Sequence, residues 1–425
     1  MKKADNYEDL ASHLFRQEAG KMVSVLTRIF GLSHIEIAED IVQDTFIKAL
    51  DEWGYNKIPE NPQAWLYRVA KNKTIDYLRH QKHVQEYESD VSYLLKSEWT
   101  LSSSVNNMFL DNEIQDSQLR MIFASCHPAL PQESQIALTL KTLCGFSIKE
   151  IARALMTTEA NINKRLFRAK KKLRDEHLKF EIPMGDDLVE RLDSVYIVIY
   201  LIFNEGYNST ESDKIIRKDL CAEALRLCQL LSEHNAGNEP KTFALLALMC
   251  FHASRLDART NDKGYIILLK EQDRGLWNKA LIAKGFEYIS ASSSGNNISE
   301  YHLEAGIAAY HCSAKRFEET DWENILKLYD ILVKINPSSV TLLNRSIAVS
   351  YIKGAKEALN ELLKITNLEN YYLYHTTLAH FYKEINQPQN ARNHLEKALA
   401  LTSSTSEISL IKRRLKEINS RLPAV

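Results

Sequence analysis

Glycine and proline are scarce in this chain, 13 and 9 among 425 residues. From Met184 onward no stretch alternates apolar and polar residues as a half-buried strand would. Both absences exclude a β-rich fold and leave an all-α reading. A long hydrophobic run is missing too. The longest, Val195 to Phe203, is bounded by Asp193 and Glu205 and is far below the roughly 20 residues that a bilayer requires. It predicts a buried helix, with no membrane partner. The opening MKKADNYEDL has lysines but no apolar segment behind them, so no secretion signal is expected and the cytoplasm is the predicted location. The cysteines at 126, 144, 221, 228, 250 and 312 contain no CxxC pair, which suits free thiols in a reducing compartment better than disulfides or a zinc site. Cys126 with His127, Cys250 with His252, and His311 with Cys312 lack further ligands at regular spacing, so packing rather than metal is their expected role. There is no glycine-rich phosphate loop and no nucleophile motif. An enzyme built on His252 with Asp257 or Glu205 therefore has no support, and neither a catalytic residue nor a cofactor is predicted. Finally, a surplus of positive charge is absent: 54 Lys and Arg face 55 Asp and Glu, for a net charge of −1. Any affinity for nucleic acid must be local.

Local basic charge is found between Ser147 and Arg174. Ser147 and Glu150 have the spacing of a capping box, which starts a helix at Ile148. Ile148, Ile151, Ala152 and Leu155 share one face of it. Met156-Thr157-Thr158 then supplies a break and a new N-cap, with Glu159 near the positive helix end. In the second helix Ile162, Leu166, Ala169 and Leu173 form an apolar stripe, while Lys164, Arg165, Arg168, Lys170, Lys171, Lys172 and Arg174 occupy the other faces. Two short helices around a tight turn, the second basic, are the layout of a helix-turn-helix reader of DNA.

Residues 7–83 read as several helices. Between Ile35 and Leu50, Ala38, Ile41, Val42, Phe46 and Ala49 make an apolar face, whereas Glu36, Asp40, Gln43, Asp44 and Ile47 lie together on another. That mixed acidic face is either solvated or docks on a basic partner. After Pro59, Asn61 caps a further helix with Pro62 at its first position. Along it Trp65, Tyr67 and Tyr77 alternate with Arg68, Lys71, Lys73, Arg79 and Lys82. Aromatics among cations suit phosphates and unpaired bases, although Trp65 reads more readily as a packed residue. Residues 84–118 carry Glu86, Glu88, Asp90, Glu98, Asp111, Glu113 and Asp116 against Lys96, with Ser102-Ser103-Ser104 as a flexible patch, and read as an acidic linker.

The segments AEDIVQDTFIKALDEW (38–53), NPQAWLYRVAKNKTIDYLRHQ (61–81) and LPQESQIALTLKTLCGFSIKEIARALMTTEANINKRLFRAKKKLR (130–174) resemble, in order and spacing, regions 2.2, 2.3 to 2.4 and 4 of bacterial sigma factors. More narrowly they are similar to the extracytoplasmic-function group. The resemblance implies a sigma region 2 helical domain (7–83) and a sigma region 4 helix-turn-helix domain (119–179), separated by the linker. It implies that Asp40, Gln43, Asp44 and Ile47 dock on core RNA polymerase, and that Trp65, Tyr67, Arg68, Lys71, Asn72, Lys73 and Arg79 hold the melted minus-10 element of promoter DNA. The second helix of the helix-turn-helix would then enter the major groove of the minus-35 element. In that helix Thr158, Glu159, Asn161, Asn163 and Lys164 are placed for base edges, and Arg165, Arg168, Lys171 and Lys172 for phosphates. By the same resemblance the linker threads the RNA exit path, its acids standing in for transcript phosphates. A stand-alone helix-turn-helix regulator with a repeat sensor would explain the basic helix but leaves 38–81 unaccounted for.

In the second half Ile325, Ala358 and Ala391 are spaced by 33 residues, as are Tyr329, Leu362 and Leu395, and Leu332, Ile365 and Ala398. Within 372–405, Leu378, Ala379, Tyr382, Ala391, Leu395 and Ala398 fall where tetratricopeptide repeats place packing residues, His375 replacing an aromatic. A TPR-like helical array over 323–420 is expected, with a concave surface for a regulatory protein or peptide. The preceding section, 185–322, has no clear repeat. It holds polar clusters at Asn204-Glu205-Gly206-Tyr207, at Arg255, Asp257 and Arg259, and at Gln272-Asp273-Arg274 with Trp277. Structural ion pairs and caps are the expected roles of these clusters, ahead of the alternative of a ligand pocket. The two sections together resemble the TPR-like extension of one subgroup of these sigma factors, which implies a regulatory module.

Overall fold

The computed structural model describes residues 4–55, 58–80, 98–155, 157–208, 216–261, 264–295, 297–402 and 404–420. The acidic stretch 84–97 lies outside them. Among the described residues the protein has nineteen α-helices and no strand, the one extended pairing being an isolated bridge between Thr260 and Ile266. The chain divides into two compact units, Met1–Leu201 and Ile202–Val425.

The first unit opens with α1 (Ala4–Phe30) and α2 (Ile35–Tyr55). They pack through Met22, Val25, Leu26 and Ile29 on one side and Ala38, Val42, Phe46 and Ala49 on the other, all buried. Gly31, at φ 86°, ends α1, since a left-handed turn there is costly for any residue with a Cβ. Helix α3 (Pro62–His80) starts as its sequence predicts: the Asn61 side chain accepts the Ala64 N–H at 2.9 Å, and Pro62 occupies the position where a missing donor is harmless.

The stretch expected as a flexible linker is helical from Glu98 onward. Helix α4 (Glu98–Asn107) contains Ser102, Ser103 and Ser104, and α5 (Asp111–Ser125) contains Asp111, Glu113 and Asp116. Leu101, Val105 and Met108 recur at helical spacing and are buried, so tertiary packing overrides the weak helix propensity of the serines. Glu113 and Asp116 are also not free acids, because both pair with Arg28 of α1, at 2.7 and 2.9 Å.

Helices α6 (Gln132–Thr142), α7 (Ile148–Ala154) and α8 (Glu159–Asp175) follow. They press closely on α1. A Cβ on Gly20 would lie 2.2 Å from the Leu143 carbonyl oxygen, and Gly145, at φ 65°, approaches the Phe15 carbonyl. Helix α9 (Asp186–Tyr207) contains the boundary between the units.

The second unit continues with α10 (Lys218–Ser232), α11 (Pro240–Ala253), α12 (Lys279–Ser292), α13 (Glu300–Ser313), α14 (Trp322–Ile335), α15 (Ser339–Lys353), α16 (Ala355–Leu362), α17 (Tyr372–Glu384), α18 (Pro388–Ala400) and α19 (Thr405–Asn419). Apart from Ile365, which follows α16, the positions of the 33-residue period fall on α14, α16 and α18. Ile325, Ala358 and Ala391 are each fully buried there, as are Leu362, Leu395 and Ala398. Each short helix hides one apolar face against its neighbours, which is why the period marks core rather than site residues.

Candidate nucleic-acid interface

The helix-turn-helix has the local geometry that its residues predict. Ser147 Oγ accepts the Glu150 N–H at 3.2 Å, and the Glu150 carboxylate accepts the Ser147 N–H at 2.8 Å, closing the capping box at the start of α7. Thr158 caps α8 by accepting the Asn161 N–H at 3.2 Å. Ile162, Leu166, Ala169 and Leu173 are all buried, and this stripe fixes the rotation of α8. Thr158, Glu159, Asn161, Asn163, Lys164, Arg168 and Lys171 consequently face solvent. Two of the expected phosphate contacts have partners within the protein: Arg165 pairs with Glu133, and Lys172 with Glu176 at 3.3 Å. Arg168 and Lys171 stay exposed, as do the short polar side chains of the N-terminal half of α8.

On α3 the expected minus-10 residues fall into two groups. Arg68, Asn72 and Arg79 are exposed. Trp65 packs edge-on against Trp53 at 5.4 Å, in keeping with its reading as a packed residue. Tyr67 donates its hydroxyl proton to Glu18 at 2.6 Å and lies 5.5 Å from the Phe109 ring. Burial first, and then the Glu18 carboxylate, raise the Tyr67 pKa, so the phenol stays protonated. Lys71 sits 5.3 Å over Phe109, where burial lowers its pKa. The α4–α5 turn that carries Phe109 thus covers part of the aromatic and basic face.

Asp40, Gln43, Asp44 and Ile47 are all exposed on one side of α2, Ile47 at 49%. Leu50 lies beside it at 41%. Lys73 of α3 bonds Asp44 at 3.0 Å, which joins the two candidate faces. Sequence reasoning missed the contacts that tie α2 and α1 to the helix-turn-helix. Lys170 bonds Glu39 at 2.5 Å, and Arg16 pairs with Glu150, the same carboxylate that completes the capping box. Burial opposes ionisation of Glu150, but its bonds to Ser147 and the charge of Arg16 outweigh that and keep its pKa low. The partners are 131 and 134 residues apart in sequence, and no local pattern announces such pairs.

In the second unit the three polar clusters converge. Arg255 donates to the Tyr207 hydroxyl at 2.7 Å and lies 3.0 Å from His252 Nδ1. Arg259 donates to the Tyr207 carbonyl with its guanidinium 3.6 Å over the Tyr207 ring. Arg274 donates to the carbonyls of His311 and Ala314, both at 2.6 Å, and stands 4.5 Å from the Trp277 ring. Asp273 caps the turn at Gly275, as expected. Exposed Asp257 pairs with Lys218. Among the described residues none of the three guanidiniums pairs with a carboxylate, and carbonyls, a phenol and ring faces satisfy them instead. Burial holds His252 far below the ordinary histidine pKa and therefore neutral. No disulfide joins the cysteines among the described residues, and five of the six are buried. Among the described residues no group of three or more His, Cys, Asp or Glu side chains is gathered for a metal, and no helix is long and apolar enough to cross a membrane.

Comparison with known families agrees with the geometry of the first unit. Residues 14–84 match Sigma-70 region 2 and residues 120–173 match Sigma-70, region 4. These two modules, in this order on an all-α unit, define an RNA polymerase sigma factor. The chain belongs to the sigma-70 family, in its extracytoplasmic-function group. It is 29% identical over 145 residues to the ECF RNA polymerase sigma factor SigM of Bacillus subtilis, covering 32% of this chain and 78% of SigM. It is 27% identical over 185 residues to the RNA polymerase sigma factor YlaC of the same organism, covering 42% of this chain and 96% of YlaC. Both similarities cover less than half of this chain. Residues 191–293 match a family of unknown function (DUF6596). Over nearly its full length the chain is 35% identical to the uncharacterized protein R00370 of Rhizobium meliloti, 408 residues covering 96% of this chain and 95% of that one. No solved structure matches the chain significantly.

Proposed function

We propose that this sigma factor binds core RNA polymerase through Asp40, Gln43, Asp44 and Ile47 and directs initiation at promoters with its own minus-10 and minus-35 elements. The observation that carries the reading is α8. A buried stripe orients it, Thr158 caps it, and Asn161, Asn163 and Lys164 stand exposed on its N-terminal half. That half of a recognition helix reaches base edges in a major groove, while Arg168 and Lys171 are positioned for phosphates. Trp65, Tyr67, Arg68, Lys71, Asn72, Lys73 and Arg79 are assigned to the melted minus-10 strand. The internal partners of Tyr67 and Lys71 would have to give way for that contact. Several cations of the DNA faces are paired within the protein and the net charge is −1, which fits a subunit whose hold on DNA is shared with a larger assembly.

The assigned modules are region 2 at 7–83, a connector at 84–118, region 4 at 119–179, a helical extension at 185–322 and a TPR-like array at 323–420. The last two form a regulatory module that receives a protein or peptide, in a cytoplasmic protein without enzymatic activity. The buried 33-residue period supports the array. Run-off transcription with purified core enzyme, on the promoter upstream of this protein's gene, tests the reading. Transcripts that require both proteins are expected, and failure to bind core enzyme at all would sink it. A chain ending near Lys179 tests the module: activity equal to that of the full chain removes the regulatory role.

A further inference from the structure

The second unit contains a cleft of about 370 Å³ that promoter binding does not use. One end is aromatic. Trp322 and Tyr351 stack with ring centroids 4.0 Å apart and planes 9° from parallel, and Phe317 meets both edge-on at 5.7 Å. Tyr351 remains 42% exposed despite these contacts, so the cluster presents an aromatic surface rather than closing on itself. Leu268, Ile347 and Leu373 extend the apolar wall.

The other end is basic. Lys270 and Arg414 line the cleft and also a smaller cavity of about 50 Å³, which places them where the two spaces meet. Glu271 and Glu417 face the smaller cavity, whereas no Asp or Glu is among the residues that line the cleft. The two histidines of the lining do not alter this balance in either direction. Burial and neighbouring cations pull His311 to about 3, and burial pulls His380 to about 4, so both are neutral hydrogen-bonding groups at physiological pH. Arg414 is half-buried; burial lowers its pKa against the opposing pull of Glu271 and Glu417, and a partly desolvated guanidinium is stabilised further by an anion that reaches it from the cleft.

We infer that the cleft binds a small aromatic carboxylate, its ring against Trp322, Tyr351 and Phe317 and its carboxylate at Lys270 and Arg414. The volume is that of a site for one small molecule. Ring faces attract cations as well as apolar groups, but two fixed positive charges and a lining without acids select against a cationic ligand. The inference is independent of the polymerase reading, because it concerns ligand binding by the isolated full chain.

Isothermal titration of the full-length protein with benzoate, 4-hydroxyphenylacetate and 2-naphthoate, each beside its neutral amide, tests it. Saturable one-to-one binding is expected for at least one acid, about tenfold tighter than for its amide, a difference of about 1.4 kcal/mol. Lys270 is exposed, so Lys270→Gln should leave the fold intact by circular dichroism and reduce the preference for acid over amide. Tyr351→Leu should weaken acid and amide together. No saturation by any acid at millimolar concentration overturns the inference, as does equal affinity for acids and amides. A preference for acids unchanged in Lys270→Gln overturns it too.

Discussion

Gly20 gives a perturbation whose sign distinguishes two arrangements of the first unit. It lies in the interior of α1, where alanine is intrinsically favoured over glycine by about 1 kcal/mol. A free helix face would therefore gain stability from Gly20→Ala. In the structure, however, the added Cβ would stand 2.2 Å from the Leu143 carbonyl oxygen, 2.6 Å from its carbon and 2.9 Å from its Cα. These are backbone atoms at the end of α6, so no side-chain rotation relieves the overlap. Overpacking of this kind costs about 1 to 3 kcal/mol, and contact with backbone belongs at the upper end. Offset by the helix propensity, the expected net loss is roughly 2 kcal/mol. Neighbouring Arg16 and Glu150 are each one-third exposed, and a pair so open to solvent adds only about 0 to 1 kcal/mol to the seam. Urea unfolding of the full chain by circular dichroism measures the change, and hydrogen exchange in α1 and α6 localises it. A stability increase of about 1 kcal/mol, with unchanged exchange in α6, would refute the packing of region 4 on region 2 described above.

Replacing Arg168, exposed on α8, with alanine should weaken binding of the polymerase complex to all promoter sequences alike and lower its salt slope by about one, whereas Asn163→Ala should change base preference at the minus-35 element. Intact promoter activity in both variants would show that α8 is not the recognition helix. Ser147→Ala removes one half of the capping box and should cost about 1 kcal/mol by chemical unfolding. In the second unit burial holds His252, His311, His380 and His394 below their unfolded pKa values, His380 and His394 to about 4. The unfolded chain then binds more protons than the folded one below about pH 6.5. Stability should be full above that pH and fall on acidification toward pH 4, by up to about 1.4 kcal/mol per pH unit for each histidine concerned. A flat melting temperature between pH 7 and pH 5 would contradict this.

What was legible in the sequence follows from the range of the forces involved. The capping box at Ser147, the caps at Asn61 and Thr158, and the stripe from Ile162 to Leu173 are set by residues within a turn or two, and the structure has each where the pattern places it. The 33-residue period was equally readable, because Ile325, Ala358 and Ala391 are core in three successive units, although Tyr329 and Ile365 at its other positions are only half-buried. The helical course of the stretch from Glu98 to Ser125 was not, since acids and three serines mask the spacing of Leu101, Val105 and Met108, and only packing on the rest of the unit makes them core. Long-range pairing was hidden as well. Neither Lys170 with Glu39 nor Phe109 over Tyr67 and Lys71 has any local signature, yet the second covers part of the candidate DNA surface. The guanidiniums of Arg255, Arg259 and Arg274 were expected to find carboxylates, and they find carbonyls and rings that the sequence gives no means of locating.

Binding to core RNA polymerase tests the central claim most directly. Purified full-length protein mixed with core enzyme should co-elute as a one-to-one complex in gel filtration. The double variant Asp40→Lys and Asp44→Lys, which inverts the exposed face of α2, should lose about tenfold or more in affinity, or about 1.4 kcal/mol. Tight binding of the protein to promoter duplex, with no complex formed on core enzyme, would contradict the account.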